Sequence, residues 1–237
     1  MTAPAAPPRL LTTSAGDVPL GECRLVVGGR ELAVLHTTAV VTRDDENEYL
    51  GAQANGMPYG VALWPAAIAL AHEIATRADE FRGRSVLELG AGIGLPGIVA
   101  ASIGATVVQT DRQELALHLC QLNGERNQAG RVEYRLADWT EWDDCGKYDW
   151  VIGSDILYAT SLHPYLLPIF AGNLAPGGRA LVADPYRIES LSLLEGLETD
   201  GWRVTHSRWS IGEGNDARPV AVYELAPPGL HSQPRSL

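Results

Sequence analysis

The sequence predicts an α/β fold in which a seven-stranded sheet carries helices on both faces and is preceded by an N-terminal β-hairpin extension. Three observations predict it. Residues 85–97 read SVLELGAGIGLPG, an apolar run that passes through a glycine-rich turn into a helix. Helical and extended patterns then alternate along the chain, as crossover connections in a largely parallel sheet require. The alternation breaks only at the end, where two extended segments follow one another with a loop alone between them.

Taken in order, residues 1–20 and 226–237 are rich in Pro, Ala and Ser and read as disordered tails. Residues 21–60 form the extension, with short strands at 23–27 and 31–36 around Gly28-Gly29 and a continuation over 37–42. The acidic run Asp44, Asp45, Glu46 and Glu48 reads as a solvated loop, with reception of a basic substrate as the lesser alternative. The main domain covers 61–225. Its first helix spans 61–78, with Trp64, Ile68, Ala71 and Ile74 on one face. Strands follow at 85–89, 106–110, 132–136, 148–153 and 179–183, and the closing pair at 202–209 and 220–225. The helices between them lie at 95–103, 113–127, 165–174 and 190–199, with a turn at Pro176-Gly177-Gly178.

Composition bounds the function. Apolar residues make up 46% and charged residues 20% of the chain, as in ordinary globular proteins. A formal charge of −11 argues against nucleic acid as the main partner and suits a basic side chain or a cationic ligand. Cys23, Cys120 and Cys145 show no metal or CxxC spacing, which fits a reducing cytoplasm, and the six histidines form no ligand cluster. No signal peptide or apolar run of about 18 residues is present, so neither export nor a membrane span is expected.

Glycines at 90, 92 and 94 let the backbone turn sharply and let a ligand lie against it, while the N–H groups of the following helix attract an anion. Dinucleotides and S-adenosylmethionine are the two ligand classes that use such a turn. A literal GxGxxG occurs at Gly92, Gly94 and Gly97, but a dinucleotide turn starts at the strand end, here Gly90, and Leu95 then stands where its third glycine belongs. From the strand end the pattern is an acid, one residue, then GxGxG: Glu88, Gly90, Gly92 and Gly94. Alone, Glu88 would stabilise the turn; beside these glycines the ligand-contacting reading leads. Asp111 lies about 20 residues beyond the glycines, where an acid accepts the hydroxyls of a ribose. Asp138-Trp139 follows the third strand and pairs a hydrogen-bonding acid with an indole that can cover a base. The fourth strand ends in DWVIGSDILY and delivers Ser154, Asp155 and Tyr158 together to the ligand-binding edge. An acid there needs a partner, either a substrate amine or the following helix, which it would cap.

The motif around Glu88 and the glycines, with the loop-joined final strands, resembles the class I, seven-strand S-adenosylmethionine-dependent methyltransferases. That resemblance implies a Rossmann-like methyltransferase sheet whose last strand is antiparallel. Five stretches narrow it: PYGVALWPAAIALA (58–71), LELGAGIGLPGIVAA (87–101), TD (110–111), DW (138–139) and SDILY (154–158). Together these are similar to the protein-lysine methyltransferase branch, the DxxY type, over about residues 22–225. The resemblance implies S-adenosyl-L-methionine as cofactor and Trp64, Gly90, Ala91, Gly92, Asp111, Trp139 and Ser154 as its contacts, beside Glu88, Gly94 and Asp138. It implies Asp155 and Tyr158 as the catalytic residues framing a lysine. ADPYR at 183–187 is similar to the flavoprotein-directed relatives, in which glycine is more usual at the position of Tyr186.

The reaction expected is methyl transfer to an amine nitrogen of a protein lysine by an in-line displacement, driven mostly by positioning. A small-molecule N- or O-methyltransferase, lidded by residues 37–60, and a non-catalytic cofactor-binding partner protein are the alternatives. A monomer or weak dimer is expected, with neither metal, nucleic acid nor membrane as partner.

Overall fold

The computed structural model describes residues 9–13, 16–40 and 59–229. A smaller sheet opens the chain: β1 (Arg9–Thr13), β2 (Gly16–Val27) and β3 (Arg30–His36) pair antiparallel in sequence order. Gly28 and Gly29 form the β2–β3 turn with positive φ at both positions, as a tight hairpin requires. The helices are α1 (Pro65–Thr76), α2 (Ala78–Phe81), α3 (Leu95–Ser102), α4 (Glu114–Arg126), α5 (His163–Asn173) and α6 (Ile188–Thr199). The larger sheet comprises β4 (Ser85–Leu89), β5 (Thr106–Asp111), β6 (Arg131–Leu136), β7 (Tyr148–Ser154), β8 (Leu174–Asp184), β9 (Arg203–Ile211) and β10 (Arg218–Ala226). Its order is β6-β5-β4-β7-β8-β10-β9, and β10 runs antiparallel to both neighbours, with Val222 opposite Ala183 and Ser207.

Alternate residues of the central strands face opposite layers. Val86, Val107 and Ile152 join Leu70 and Ile74 of α1, Leu95 of α3 and Leu119 of α4 in one buried cluster. Leu87, Val151 and Val182 join Leu166 and Phe170 of α5 and Leu193 and Leu197 of α6 in the other. Both faces are thereby covered at the centre of the sheet, which is why β4, β5 and β7 are buried nearly throughout, whereas the outer strands β6 and β9 are largely exposed or half-buried.

Several boundaries differ from expectation for local reasons. The helix expected over 61–78 starts at Pro65, because Trp64, which precedes a proline, is held extended at φ −100° and ψ 147°. Pro176-Gly177-Gly178 falls within β8 as an irregularity: Tyr148 pairs with Leu174 and Trp150 with Arg179, while Gly177 takes φ +84°. The tail expected over 1–20 is corrected by β1 and the start of β2, where Leu11 is buried opposite Val18. The Pro and Ala richness that suggested disorder is concentrated in the first eight residues and masks the apolar positions that follow. At the other end β10 extends through Ala226. The acidic run at 44–48, most of the segment expected to act as a lid and the end of the C-terminal tail lie outside the described residues.

The small sheet is fastened to α4 by two asparagines one helical turn apart. Asn123 accepts from Leu35 N at 2.7 Å and donates to Leu35 O at 2.9 Å; Asn127 does the same with Ala33 N and O, both at 2.9 Å. Each amide thus replaces a missing neighbouring strand at alternate residues of β3. Residues 37–40 then run beside 61–63, with Thr37 N donating to Val61 O and Val40 N to Leu63 O, both at 2.9 Å. This pairing carries the chain toward Trp64. Among the described residues no helix is long and apolar enough to cross a membrane.

Candidate active site

The C-terminal ends of β4 to β8 gather at one sheet edge, beside the β4–β7 junction where the strand order reverses and open α/β sheets hold their ligands. A cavity opens there, lined by Trp64, Gly90, Ala91, Gly92, Asp111, Asp138, Trp139, Ser154, Asp155 and Tyr158. Two expected contacts, Glu88 and Gly94, are not among its lining residues.

Glu88 lies beneath the glycine turn, 1% exposed, where its Oε2 accepts from Gln109 Nε2 at 2.6 Å and Gly97 N at 3.1 Å. Gln109 also donates to Gly94 O at 2.9 Å and accepts from Cys120 Sγ at 3.0 Å. These bonds tie β4, β5, α3 and α4 under the turn, so Glu88 supports the cavity floor instead of touching its contents. Burial pushes its carboxyl up to about 8, against the opposing pull of the Gln109 and Gly97 bonds. Gly94 has φ +86°, and a Cβ on it would collide with Cys120 Sγ, so its role is packing as well as backbone freedom. Gly90 and Gly92 do face the cavity. At φ +61°, a Cβ on Gly90 would stand 3.2 Å from Trp139 Cζ2; at φ +57°, one on Gly92 would stand 2.9 Å from Gly60 O.

Asp111 is 8% exposed; its Oδ2 accepts from Gly92 N at 3.0 Å and its Oδ1 from Gln113 N at 2.9 Å. The acid therefore shapes the turn and faces the cavity at once. Burial raises its pKa, and the N–H donors restrain the rise. Gln113, which sequence reasoning missed, lines the cavity with a buried Oε1 that has no hydrogen-bond partner among the described residues. A buried amide oxygen of this kind is costly unless something in the cavity donates to it. Its position two residues after Asp111 was the available signal. Gly60, Arg112, Ile156 and Leu162 are further lining residues not singled out from the sequence.

Asp138 Oδ1 accepts from Thr140 N at 2.9 Å and Thr140 Oγ1 at 2.8 Å, capping the short 3-10 turn Trp139–Glu141. Those donors hold its carboxyl below the usual range, and the cap fixes the turn from which Trp139 reaches the cavity. Asp155 follows β7 with φ +58°, its N–H donating to Ala183 O at 2.9 Å. Its carboxylate is ion-paired through Oδ1 with Arg187 Nη1. That partner was not assigned from the sequence, although ADPYR was noted. Tyr186, beside it, has φ +64°, a conformation glycine adopts freely, which accounts physically for the glycine more usual in the flavoprotein-directed relatives.

The donor set fits an adenosyl sulfonium. A glycine floor, a buried acid, an amide oxygen with no partner among the described residues and an indole line one cavity, and a second acid follows the end of β7. Comparison with known proteins agrees. Residues 45–190 match the family described as lysine methyltransferase. The chain is 38% identical over 118 residues to protein N-lysine methyltransferase METTL21A of Xenopus tropicalis, covering 47% of this chain and 54% of that protein. It is 33% identical over 189 residues to EEF1A lysine methyltransferase 3 of Mus musculus, covering 74% of this chain and 79% of that protein. The match therefore spans about half the length of the METTL21A relative and most of the second. The Thermus thermophilus 16S rRNA N2 G1207 methyltransferase, solved with AdoMet and guanosine, superposes with a TM-score of 0.60 at 18% identity over 88% of this chain and 50% of that one. At that identity the likeness concerns the fold.

Proposed function

Because the chain belongs to the lysine methyltransferase family, we propose that it transfers a methyl group from S-adenosylmethionine to a lysine amine of a protein substrate. The observation that carries this reading is the convergence of Gly90, Gly92, Asp111, Trp139 and Asp155 on one cavity at the switch point of the sheet. Asp111 and Gln113 would take the hydroxyls of the nucleoside, Trp139 and Asp138 its base, and the backbone at Gly90–Gly92 the amino-acid end. When bound, the cofactor supplies an electrophilic methyl group on sulfur.

The rest is the work of the chain. A lysine amine attacks only as the neutral base, although its ordinary pKa is about 10.4. Its lone pair forms the new C–N bond as the methyl–sulfur bond breaks with its electron pair staying on sulfur, and the nitrogen's own proton leaves to water. Asp155 orients the amine by accepting its N–H, and Tyr158 walls the approach. Exposed Tyr158, Tyr186 and Ile188 lie on or beside the segments that carry Asp155 and Arg187, a rim that favours a macromolecular acceptor over a small molecule.

Incubation with radiolabelled S-adenosylmethionine and a whole-cell lysate tests the proposal. Label in a protein band, recovered as methyl-lysine on hydrolysis, is the expected result. Label confined to the small-molecule fraction would indicate a small-molecule methyltransferase, and no transfer at all a non-catalytic binding protein.

A further inference from the structure

Asp155 shares its cation with a second acid. Arg187 Nη1 pairs with Asp155 Oδ1 and lies 3.5 Å from Asp184 Oδ2, so one guanidinium serves the acids at the ends of β7 and β8. Asp184 is 0% exposed, and its Oδ1 is fixed by Arg187 N at 2.7 Å and Ser190 Oγ at 3.1 Å. Among the described residues only three that are not glycine have positive φ, and two of them are Asp155, a member of this ion pair, and Tyr186, which precedes Arg187. Such backbone strain persists where the surroundings impose it. Asp155 lines the cavity and Arg187 does not, so the cation acts on the cavity through the acid.

We propose that Arg187 is a positioning residue that selects the protonation state of the acceptor nitrogen: by offsetting the charge of Asp155, it makes the site accommodate a neutral amine in preference to an ammonium. The inference rests on the reading that Asp155 faces the acceptor. A bare carboxylate beside an amine stabilises its ammonium form and would make the nitrogen a poorer nucleophile. A guanidinium stays charged at every working pH, so the offset, which Asp155 shares with Asp184, is partial but permanent. The surrounding groups leave this assignment to Arg187. Asp184 is committed to Arg187 and Ser190, Tyr223 of β10 has its phenol pKa raised first by burial and then by the nearby Asp184, Tyr158 brings a phenol, and Asp111, Arg112 and Asp138 reach the cavity from the ends of β5 and β6.

Sinefungin tests this without knowledge of the protein substrate, because its primary amine stands where S-adenosylmethionine carries the methyl group. Calorimetry in buffers of different ionisation enthalpy counts protons released on binding, with S-adenosylhomocysteine as the reference that lacks the amine. For the wild type at pH 7.5 the expected excess is roughly one proton per sinefungin, since a free primary amine is protonated there. In Arg187→Met, which keeps an apolar stem, the excess should vanish and the affinity for sinefungin relative to S-adenosylhomocysteine should rise about tenfold. Arg187→Lys should stay within about threefold of the wild-type ratio. Absence of proton release in the wild type overturns the proposal, and so does an unchanged ratio in Arg187→Met. Failure of the wild type to bind either molecule would instead overturn the cofactor reading beneath it.

Discussion

Burial and hydrogen bonding pull the Glu88 carboxyl in opposite directions, and burial wins: its pKa stands at about 8 against an ordinary 4.5. Between those values the folded chain keeps a proton that the unfolded chain has lost, so stability falls as pH rises across the window and levels off above it. At full effect the slope is about 1.4 kcal/mol per pH unit. Glu88→Gln, which mimics the protonated acid, should match the wild-type melting temperature near pH 5 and exceed it increasingly toward pH 8, as scanning calorimetry would reveal. Asp155→Asn should lower transfer by about 10²-fold or more while affinity for S-adenosylhomocysteine is retained, because in the proposed reading the acid orients the acceptor and holds no part of the nucleoside. Loss of cofactor affinity in that variant would move Asp155 into the cofactor site. At this scale the sequence led to residues that line the cavity wherever a motif fixed spacing, as at Gly90, Asp111 and Trp139. It was misleading at Glu88, because spacing along a strand does not reveal which face of the turn a side chain meets. Arg187 acts through an ion pair made only after folding, so no local pattern marked it, and Gln113 had only its place two residues beyond Asp111 as a signal.

Between α4 and β3, a pair of side-chain amides replaces a strand. Asn123 and Asn127 differ in where each sends its further amide hydrogen bond: Asn127 donates to Asn123 O at 2.8 Å, whereas Asn123 donates to Ile93 O at 3.0 Å, in the segment between Gly92 and Gly94. One residue therefore couples the N-terminal sheet to the glycine turn. Asn123→Ala should destabilise the protein by about 1–3 kcal/mol, since it orphans buried backbone groups of β3 and the turn, and should also weaken S-adenosylhomocysteine binding. Asn127→Ala, which spares the turn, should reduce stability with little change in affinity. Equal affinity losses in the two variants, read by calorimetry, would refute the coupling. The central strands were legible because an apolar run bounded by glycine has few alternatives. The N-terminal sheet was half-legible: the glycine turn announced β2 and β3, whereas β1 is short and stabilised by what it pairs with. Buried asparagines four residues apart on a helix were the overlooked mark of the docking.

Across the whole molecule, loops with unlike residues reach one sheet edge because parallel strands all end on the same side. The antiparallel β10 inserts between β8 and β9 without disturbing that edge, which leaves Asp155, just past β7, beside Asp184 at the end of the adjacent β8. A net charge of −11 gives the molecule a field that attracts cations, in keeping with both a sulfonium and a lysine side chain as ligands. The central claim is that this edge holds the nucleoside and turns the methyl position toward Asp155. A crystal structure with S-adenosylhomocysteine tests it most directly. The nucleoside should lie between the Gly90–Gly92 backbone, Asp111 and Trp139, with the sulfur directed at Asp155; a nucleoside bound elsewhere, or a sulfur turned away from Asp155, would overturn the proposed site.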